Sequence, residues 1–149
     1  MKSALRKRAE DASDYLLEEQ VGFWLRRAYQ RHMAIFAAAM DGLDLTSTQF
    51  AALVKLRDLG DTAQTELGRL TGMDRATISG VVARLQKRGL VRFRPDPEDG
   101  RARIVALTAA GSELLARALE RVAEVTEQTL APIGAKEADA LRETLRKLG

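Results

Sequence analysis

The stretch Asp61–Thr108, DTAQTELGRLTGMDRATISGVVARLQKRGLVRFRPDPEDGRARIVALT, decides the fold. Within it Ile78, Val81, Val82 and Leu85 recur at the spacing i, i+3, i+4, i+7, which puts four apolar side chains on one face of a helix from Arg75 to Lys87. Asp74 stands where the free N–H groups of the first turn need an acceptor. At about 100° per residue the opposite face carries Ala76, Gly80, Ala83, Arg84 and Lys87, flanked by Thr77 and Ser79. An ordinary solvated face is filled with long Glu and Lys side chains. This one is short along its first two turns and basic in its last. Short residues let a helix backbone come close to another surface, and Gly80 costs about 1 kcal/mol relative to Ala in mid-helix. Close approach to base edges in a DNA major groove would account for it; a tolerated surface glycine is the plainer alternative.

Outward from this helix the pattern continues. Thr65–Thr71 has the apolar pair Leu67 and Leu70, and Gly72 stops it. A short helix, a glycine turn and an amphipathic helix predict a helix-turn-helix, with Thr65 a candidate DNA contact. On the other side Gly89 ends the longer helix. Val91 and Phe93 then alternate with Arg92 and Arg94. Pro95-Asp96-Pro97-Glu98-Asp99-Gly100 cannot be helix. Arg101-Ala102-Arg103 leads into the β-branched pair Ile104-Val105, and Thr108 caps a new helix. The two strands predict a hairpin with a long tip, a wing.

These residues resemble the winged-helix core of the MarR family of bacterial transcriptional regulators. The family's wing signature, Asp-x-Arg and then Leu-Thr after five intervening residues, appears as Asp99-Gly100-Arg101 and Leu107-Thr108. Asp74-Arg75-Ala76-Thr77-Ile78-Ser79 and Leu85-x-x-Arg88-Gly89-Leu90-Val91 match as well, and the resemblance extends from about Asp14 onward. It implies a DNA-binding, homodimeric regulator whose wing arginine, Arg101, enters the minor groove. Arg103 is a second wing candidate, and Asp99 is expected to orient either arginine by an ion pair. The chain departs from the family at Gly80, where members often carry a base-reading arginine. Readout of the major groove then shifts toward Thr77, Ser79 and Arg84, with Ala76 able to meet a thymine methyl and Arg75 and Arg84 to hold phosphate or guanine.

Composition agrees with this reading. The 149 residues are 46% hydrophobic and 30% charged, enough for a single domain with a proper core. The net charge of +3 is uneven: Arg69–Arg103 holds nine basic and four acidic residues, a local +5, which leaves −2 elsewhere. A basic block in a near-neutral chain marks a polyanion partner. There is no cysteine and a single histidine, so thiolate catalysis and paired-histidine metal sites are excluded, and no phosphate-loop or dinucleotide fingerprint occurs. No catalytic residue, metal ligand or cofactor is expected. Asp96, Glu98 and Asp99 read as a solvated turn. The competing class is a winged helix serving only as a protein-interaction module, which the basic charge disfavours. Lys2 to Arg8 leads into Glu10 and Asp11 rather than an apolar run, and no stretch is apolar enough to span a bilayer. The expectation is a cytoplasmic protein.

The flanks are helical. Residues 1–13 read as a short arm or a disordered tail. Asp14–Met40 reads as one helix with the apolar stripe Leu17, Val21, Trp24, Ala28, Ile35 and Ala39, ended by Asp41-Gly42. Thr46 and Gln49 form a capping-box pattern for a helix to about Leu59. Ala109–Leu130 and Lys136–Leu148 follow the wing, separated by Pro132 and Gly134. The predicted fold is mainly α with a small β-wing: a winged helix-turn-helix over 46–108, flanked by a helical dimerisation region at 14–45 and 109–149. The end helices pack either on each other within one chain or, as the resemblance implies, between two. A dimer suits a palindromic operator on double-stranded DNA. Leu115, Val122, Leu141 and Leu145 are the expected dimer residues. The resemblance also places a small-molecule effector where the dimer helices meet the winged region. Trp24, Arg27 and His32 are the candidates there: a flat apolar wall, a bidentate carboxylate partner and a switchable donor, together suited to an aromatic acid. The alternative is that Trp24 and His32 are core and Arg27 pairs with an acid such as Asp58.

Overall fold

The computed structural model describes residues 15–149. The arm read over residues 1–13, and the Asp14 start of the first helix, lie outside them. The described elements are α1 (Val21–Ala39), α2 (Ser47–Leu59), β1 (Thr62–Ala63), α3 (Gln64–Thr71), α4 (Arg75–Lys87), β2 (Val91–Pro95), β3 (Arg103–Leu107), α5 (Ala109–Leu130) and α6 (Ala135–Leu148).

Most helix ends follow the local chemistry of the sequence. Thr46 Oγ1 accepts from Gln49 N, and Gln49 Oε1 accepts from Thr46 N, so the capping box at α2 is complete. Gly72, at φ 68°, stops α3. At the end of α4, Gly89 N donates to Gln86 O and Leu90 N to Leu85 O, with Gly89 at φ 71°. This is a Schellman closure, which satisfies carbonyls that a helix end leaves free.

The start of α1 departs from expectation. Leu17–Glu19 forms a separate 3-10 turn, Gln20 is extended, and the α-helix begins at Val21. The physical reason lies in Glu18. Its carbonyl, which a continuous helix would give to a backbone N–H four residues on, accepts the Trp24 indole N–H at 2.7 Å.

The wing also has one strand more than expected. β3 is central, paired antiparallel with β2 (Val91↔Leu107, Phe93↔Val105, Pro95↔Arg103) and with β1 (Thr62↔Val105, Ala63↔Ile104). β1 exists through that pairing, and it ties the entry to α3 directly to the wing.

The core lies where α2 crosses α3, α4 and α5 under this sheet, with Leu53, Leu67, Ile78, Leu85, Val105 and Leu115 fully buried. The four apolar positions predicted on α4 all point into it. Gly68 lets α3 and α4 approach: a Cβ there would lie 3.0 Å from Ile78 Cγ2 and 3.1 Å from Met73 O. Leu115, expected at a dimer interface, is instead buried in this same core within one chain, and Val122 is partly buried against it. Leu141 and Leu145 are exposed, and Ala138 is the buried residue of α6.

α1 and α5 run antiparallel, each holding the other's last turn. Arg31 on α1 donates to the carbonyls of Gln128 (2.7 Å) and Thr129 (2.6 Å), near the end of α5. Arg121 on α5 donates to Ala39 O (3.2 Å) and Asp41 O (2.7 Å), at the end of α1. The carbonyls of Ala39, Gln128 and Thr129 are ones that a helix end leaves free, where positive charge is favoured, and Asp41 lies in the turn just past α1.

Candidate nucleic-acid interface

α4 is placed by three anchors. Its apolar face is buried, as above. Its first turn is capped by Asp74, whose carboxylate accepts from Thr77 N at 2.7 Å. Its end is locked to the next helix by Thr108: Thr108 Oγ1 donates to Gly89 O (2.6 Å) and accepts from Gly111 N (3.1 Å), while Thr108 N donates to Leu90 O (3.1 Å). The Leu-Thr end of the wing signature is thereby explained. Its threonine joins the recognition helix to α5 and caps α5 in the same step.

The predicted DNA-facing residues fall into two groups. Thr65, Arg75 and Ser79 line a groove of about 470 Å³ between α3 and α4, together with Gln64, Gly68, Met73 and Ile78. Ala76, Thr77 and Arg84 are exposed along the same helix, and Gly80 is half-buried. The second group is at the wing, where Arg101 and Arg103 line a cleft of about 410 Å³ with Gln86, Phe93 and Arg94. Gln64 and Gln86 were not singled out from sequence. Both are uncharged residues at helix ends, so neither a charge count nor a hydrophobic period marks them.

Several basic residues of the block are already engaged. Arg88 donates to the carbonyls of Leu43 and Asp44, and so fastens the turn before α2 to the end of α4. Arg94 pairs with Asp61 at 2.7 Å, bracing β2 against the entry to β1. Arg69 holds Glu66 through two hydrogen bonds. The Arg103 guanidinium lies over the Phe93 ring, 5.0 Å from its centroid. The expected ion pair from Asp99 to Arg101 or Arg103 is absent among the described residues. Asp99 Oδ1 instead accepts the backbone N–H of Arg101 at 3.0 Å, and Asp96 Oδ1 that of Glu98 at 2.9 Å. Short acidic side chains close such turns on their own backbone, and this leaves the Arg101 side chain exposed at the tip.

The hydrogen bond from Thr77 N holds the Asp74 carboxyl below its usual range. A carboxylate whose pKa is depressed by folding stabilises the fold above its ordinary pKa of 3.8, and that contribution is lost as pH falls through the lower folded value. Asp74→Ala should therefore lower the melting temperature at neutral pH. The gap to wild type should close as the solution is acidified below about pH 4, where the unfolded carboxyl protonates; thermal melts across a pH series measure this.

The effector candidates lie on α1. Trp24 is 53% exposed and is not core. Its ring meets Phe23 edge-on at 5.0 Å, and the Arg27 guanidinium stands 5.8 Å from the Phe23 centroid. Asp58 pairs with Arg57 and not with Arg27. His32 lies further along and is partly buried, with Nδ1 3.0 Å from Thr129 Oγ1. Thr129 Oγ1 donates its hydrogen to Val125 O at 2.7 Å, so His32 Nδ1 is the donor in that pair. The ring proton is thus fixed on Nδ1, and Nε2 has no partner among the described residues. Near this face a cleft of about 340 Å³ separates Tyr29 of α1 from Thr48 and Ala51 of α2 and from the turn before α4. Trp24 and Arg27 are therefore brought together about Phe23, while His32 belongs to the clasp with α5.

A capped recognition helix with a short-residue exposed face, beside a wing carrying a free arginine at its tip, defines a winged helix-turn-helix DNA-binding protein. The comparisons with known proteins agree. The sequence model of the MarR family matches residues 45–102. Over 138 residues the chain is 44% identical to the HTH-type transcriptional repressor NicR of Pseudomonas putida, spanning 93% of this chain and 87% of that protein. A probable transcriptional regulator from Pseudomonas aeruginosa is 47% identical with a TM-score of 0.84, over 90% of this chain and 100% of that one. BpsR of Bordetella bronchiseptica, whose DNA binding is regulated by 6-hydroxynicotinic acid, is 38% identical with a TM-score of 0.84, over 90% and 96%. The chain belongs to the MarR family. It is a DNA-binding transcriptional regulator and not an enzyme. No helix among the described residues is long and apolar enough to cross a membrane.

Proposed function

We propose that the protein is a cytoplasmic, homodimeric repressor that binds a palindromic operator and releases it when a small aromatic acid binds. Residues 46–108 act as the DNA-binding region, and the helices on either side as the dimer region. The observation that carries the reading is the short, exposed face of α4 together with an Arg101 side chain exposed at the wing tip. Arg101 enters the minor groove, where a narrow A·T-rich segment attracts arginine. The face of α4 lies in the major groove, with Arg75, Ala76, Thr77, Ser79, Gly80 and Arg84 toward the bases and their flanking phosphates, and Thr65 and Arg103 at the borders.

The dimer is supported by apolar side chains that the described part of a single chain leaves uncovered: Val21, Trp24, Leu25 and Tyr29 on α1, and Leu141, Leu145 and Leu148 on α6. The effector reading is supported by the exposed Trp24, by Arg27 beside it, and by the unengaged Nε2 of His32. These offer a stacking wall, a carboxylate partner and an acceptor for a ring hydroxyl or N–H. A ligand of this kind, 6-hydroxynicotinic acid, regulates DNA binding by the similar BpsR. A ligand that prefers the DNA-free form must release DNA, because the coupling is reciprocal.

A salt-dependent mobility shift on duplex DNA tests the reading and separates it from a protein-interaction module. Arg101→Ala should weaken operator binding by about 1–3 kcal/mol, roughly five- to a hundredfold, with the fold unchanged. Unaltered affinity at moderate salt removes the wing from the interface. A panel of aromatic acids, 6-hydroxynicotinic acid included, should contain one that releases the duplex. If a releasing acid keeps its potency against both Arg27→Ala and His32→Ala, its site lies elsewhere.

A further inference from the structure

The seat of Gly80 is occupied. The three heavy atoms nearest to where its Cβ would stand all belong to the Arg84 guanidinium: Nη2 at 3.5 Å, Nη1 at 3.7 Å and Cζ at 3.8 Å. Arg84 thus folds back by one helical turn and lays its planar group over the bare backbone of residue 80, as helical side chains lean toward the N-terminus. Arg69, Arg88 and Arg94 spend their guanidinium groups on partners within the chain. The Arg84 side chain is exposed and makes no ion pair or hydrogen bond to a described residue.

We propose that Arg84, seated on Gly80, is the residue of α4 that reads a guanine in the major groove, and that the glycine is there to receive it. This rests on the DNA-binding reading above. Three observations combine. A recognition helix meets base edges mainly with its N-terminal residues. An arginine rooted at position 84 is too far along the helix to do so unless its side chain runs backward, which it does. Its donors are free, and a guanidinium matches the O6 and N7 acceptors of guanine with two parallel bonds. The glycine therefore does more than allow backbone approach: it brings an arginine from one turn later to the middle of the exposed face. A Cβ at 80 would sit at ordinary contact distance from the guanidinium, so alanine fits under it. A longer side chain takes the seat.

The test uses the full-length protein and duplexes that the wild type selects from a randomised library. Affinities are measured for the selected duplex and for its single-base-pair variants, at several salt concentrations. Wild type should lose about five- to a hundredfold when one particular G·C pair in each half-site is replaced. Arg84→Ala should bind the two duplexes alike. Arg84→Lys should recover overall affinity without recovering the discrimination, since a point charge cannot make the paired bonds. Gly80→Ala should still discriminate, and Gly80→Leu should not. The proposal is overturned if Arg84→Ala discriminates as well as wild type. It is equally overturned if that variant loses affinity evenly over all duplexes with a salt dependence shallower by about one phosphate contact. If the wild type selects no sequence, the premise of sequence-specific binding falls first and this proposal falls with it.

Discussion

Gly111→Ala should be the most destabilising single-methyl change in the protein. A Cβ at position 111 would stand 2.1 Å from Leu90 O and 2.8 Å from Leu107 Cδ1. The first of these is backbone and cannot swing away. Leu90 O also accepts the hydrogen bond from Thr108 N, and Thr108 caps α5 and holds Gly89 O. Relieving the clash means lifting α5 from the end of α4 and parting those bonds. Overpacking costs about 1–3 kcal/mol and each lost hydrogen bond about 1 kcal/mol, for a total of about 3–5 kcal/mol. At about 3 °C per kcal/mol, the expected fall in melting temperature is roughly 10 °C or more. Gly22→Ala is the control, because nothing lies within 4 Å of its added methyl. A Gly111→Ala protein that melts within a degree or two of wild type would show that α5 does not press on Leu90 as described.

The second large effect concerns assembly. Leu141→Glu combined with Leu145→Glu should convert a dimer to a monomer while leaving each chain's own core in place. Leu141 and Leu145 are 41% and 42% exposed, and α6 buries little besides Ala138 against the described chain. The double change therefore removes nothing from the cluster around Leu53, Leu67 and Leu115. In a dimer it would place four carboxylates against an apolar interface. Burial of one Leu is worth about 1.5–3 kcal/mol, so four per dimer correspond to a weakening of at least a thousandfold. Sedimentation velocity reads the mass, circular dichroism the retained helix, and a mobility shift the lost operator. A variant that stays dimeric would place the interface elsewhere.

Both expectations use parts of the molecule that differ in how openly the sequence displays them. The α4 stripe of Ile78, Val81, Val82 and Leu85, the Asp74 cap, the Thr46–Gln49 box and the Gly72 and Gly89 stops were legible because each is decided within a turn or two of chain. The three-stranded sheet was not: Thr62 and Ala63 are strand only because β3 pairs with them, 40-odd residues away. The late start of α1 escaped because no breaker marks it; the indole of Trp24 takes the carbonyl of Glu18. Periodicity showed that Leu115 and Val122 face something apolar, but a period does not say which chain supplies it. Charge counting placed Arg88 in the basic footprint, whereas its guanidinium is spent on the carbonyls of Leu43 and Asp44. Asp99 was correctly placed in the turn and assigned the wrong partner, because a carboxylate close to two arginines in sequence is closer still to its own backbone. The exposed residues proposed to face DNA were legible as a set. The folded-back course of Arg84 was not, since a rotamer leaves no trace in sequence.

The two arginine clasps between α1 and α5 also govern length. Arg31 grips the last turn of α5 and Arg121 the last turn of α1, so the clamps sit at opposite ends of one antiparallel pair. Sliding either helix by a single turn, about 5.4 Å, would part both at once. The pair behaves as a strut of set length, with the recognition helix joined to one part of it through Thr108 and the exposed leucines of α6 beyond its far end. Whatever changes the separation of two reading heads must then rotate these struts and cannot stretch them.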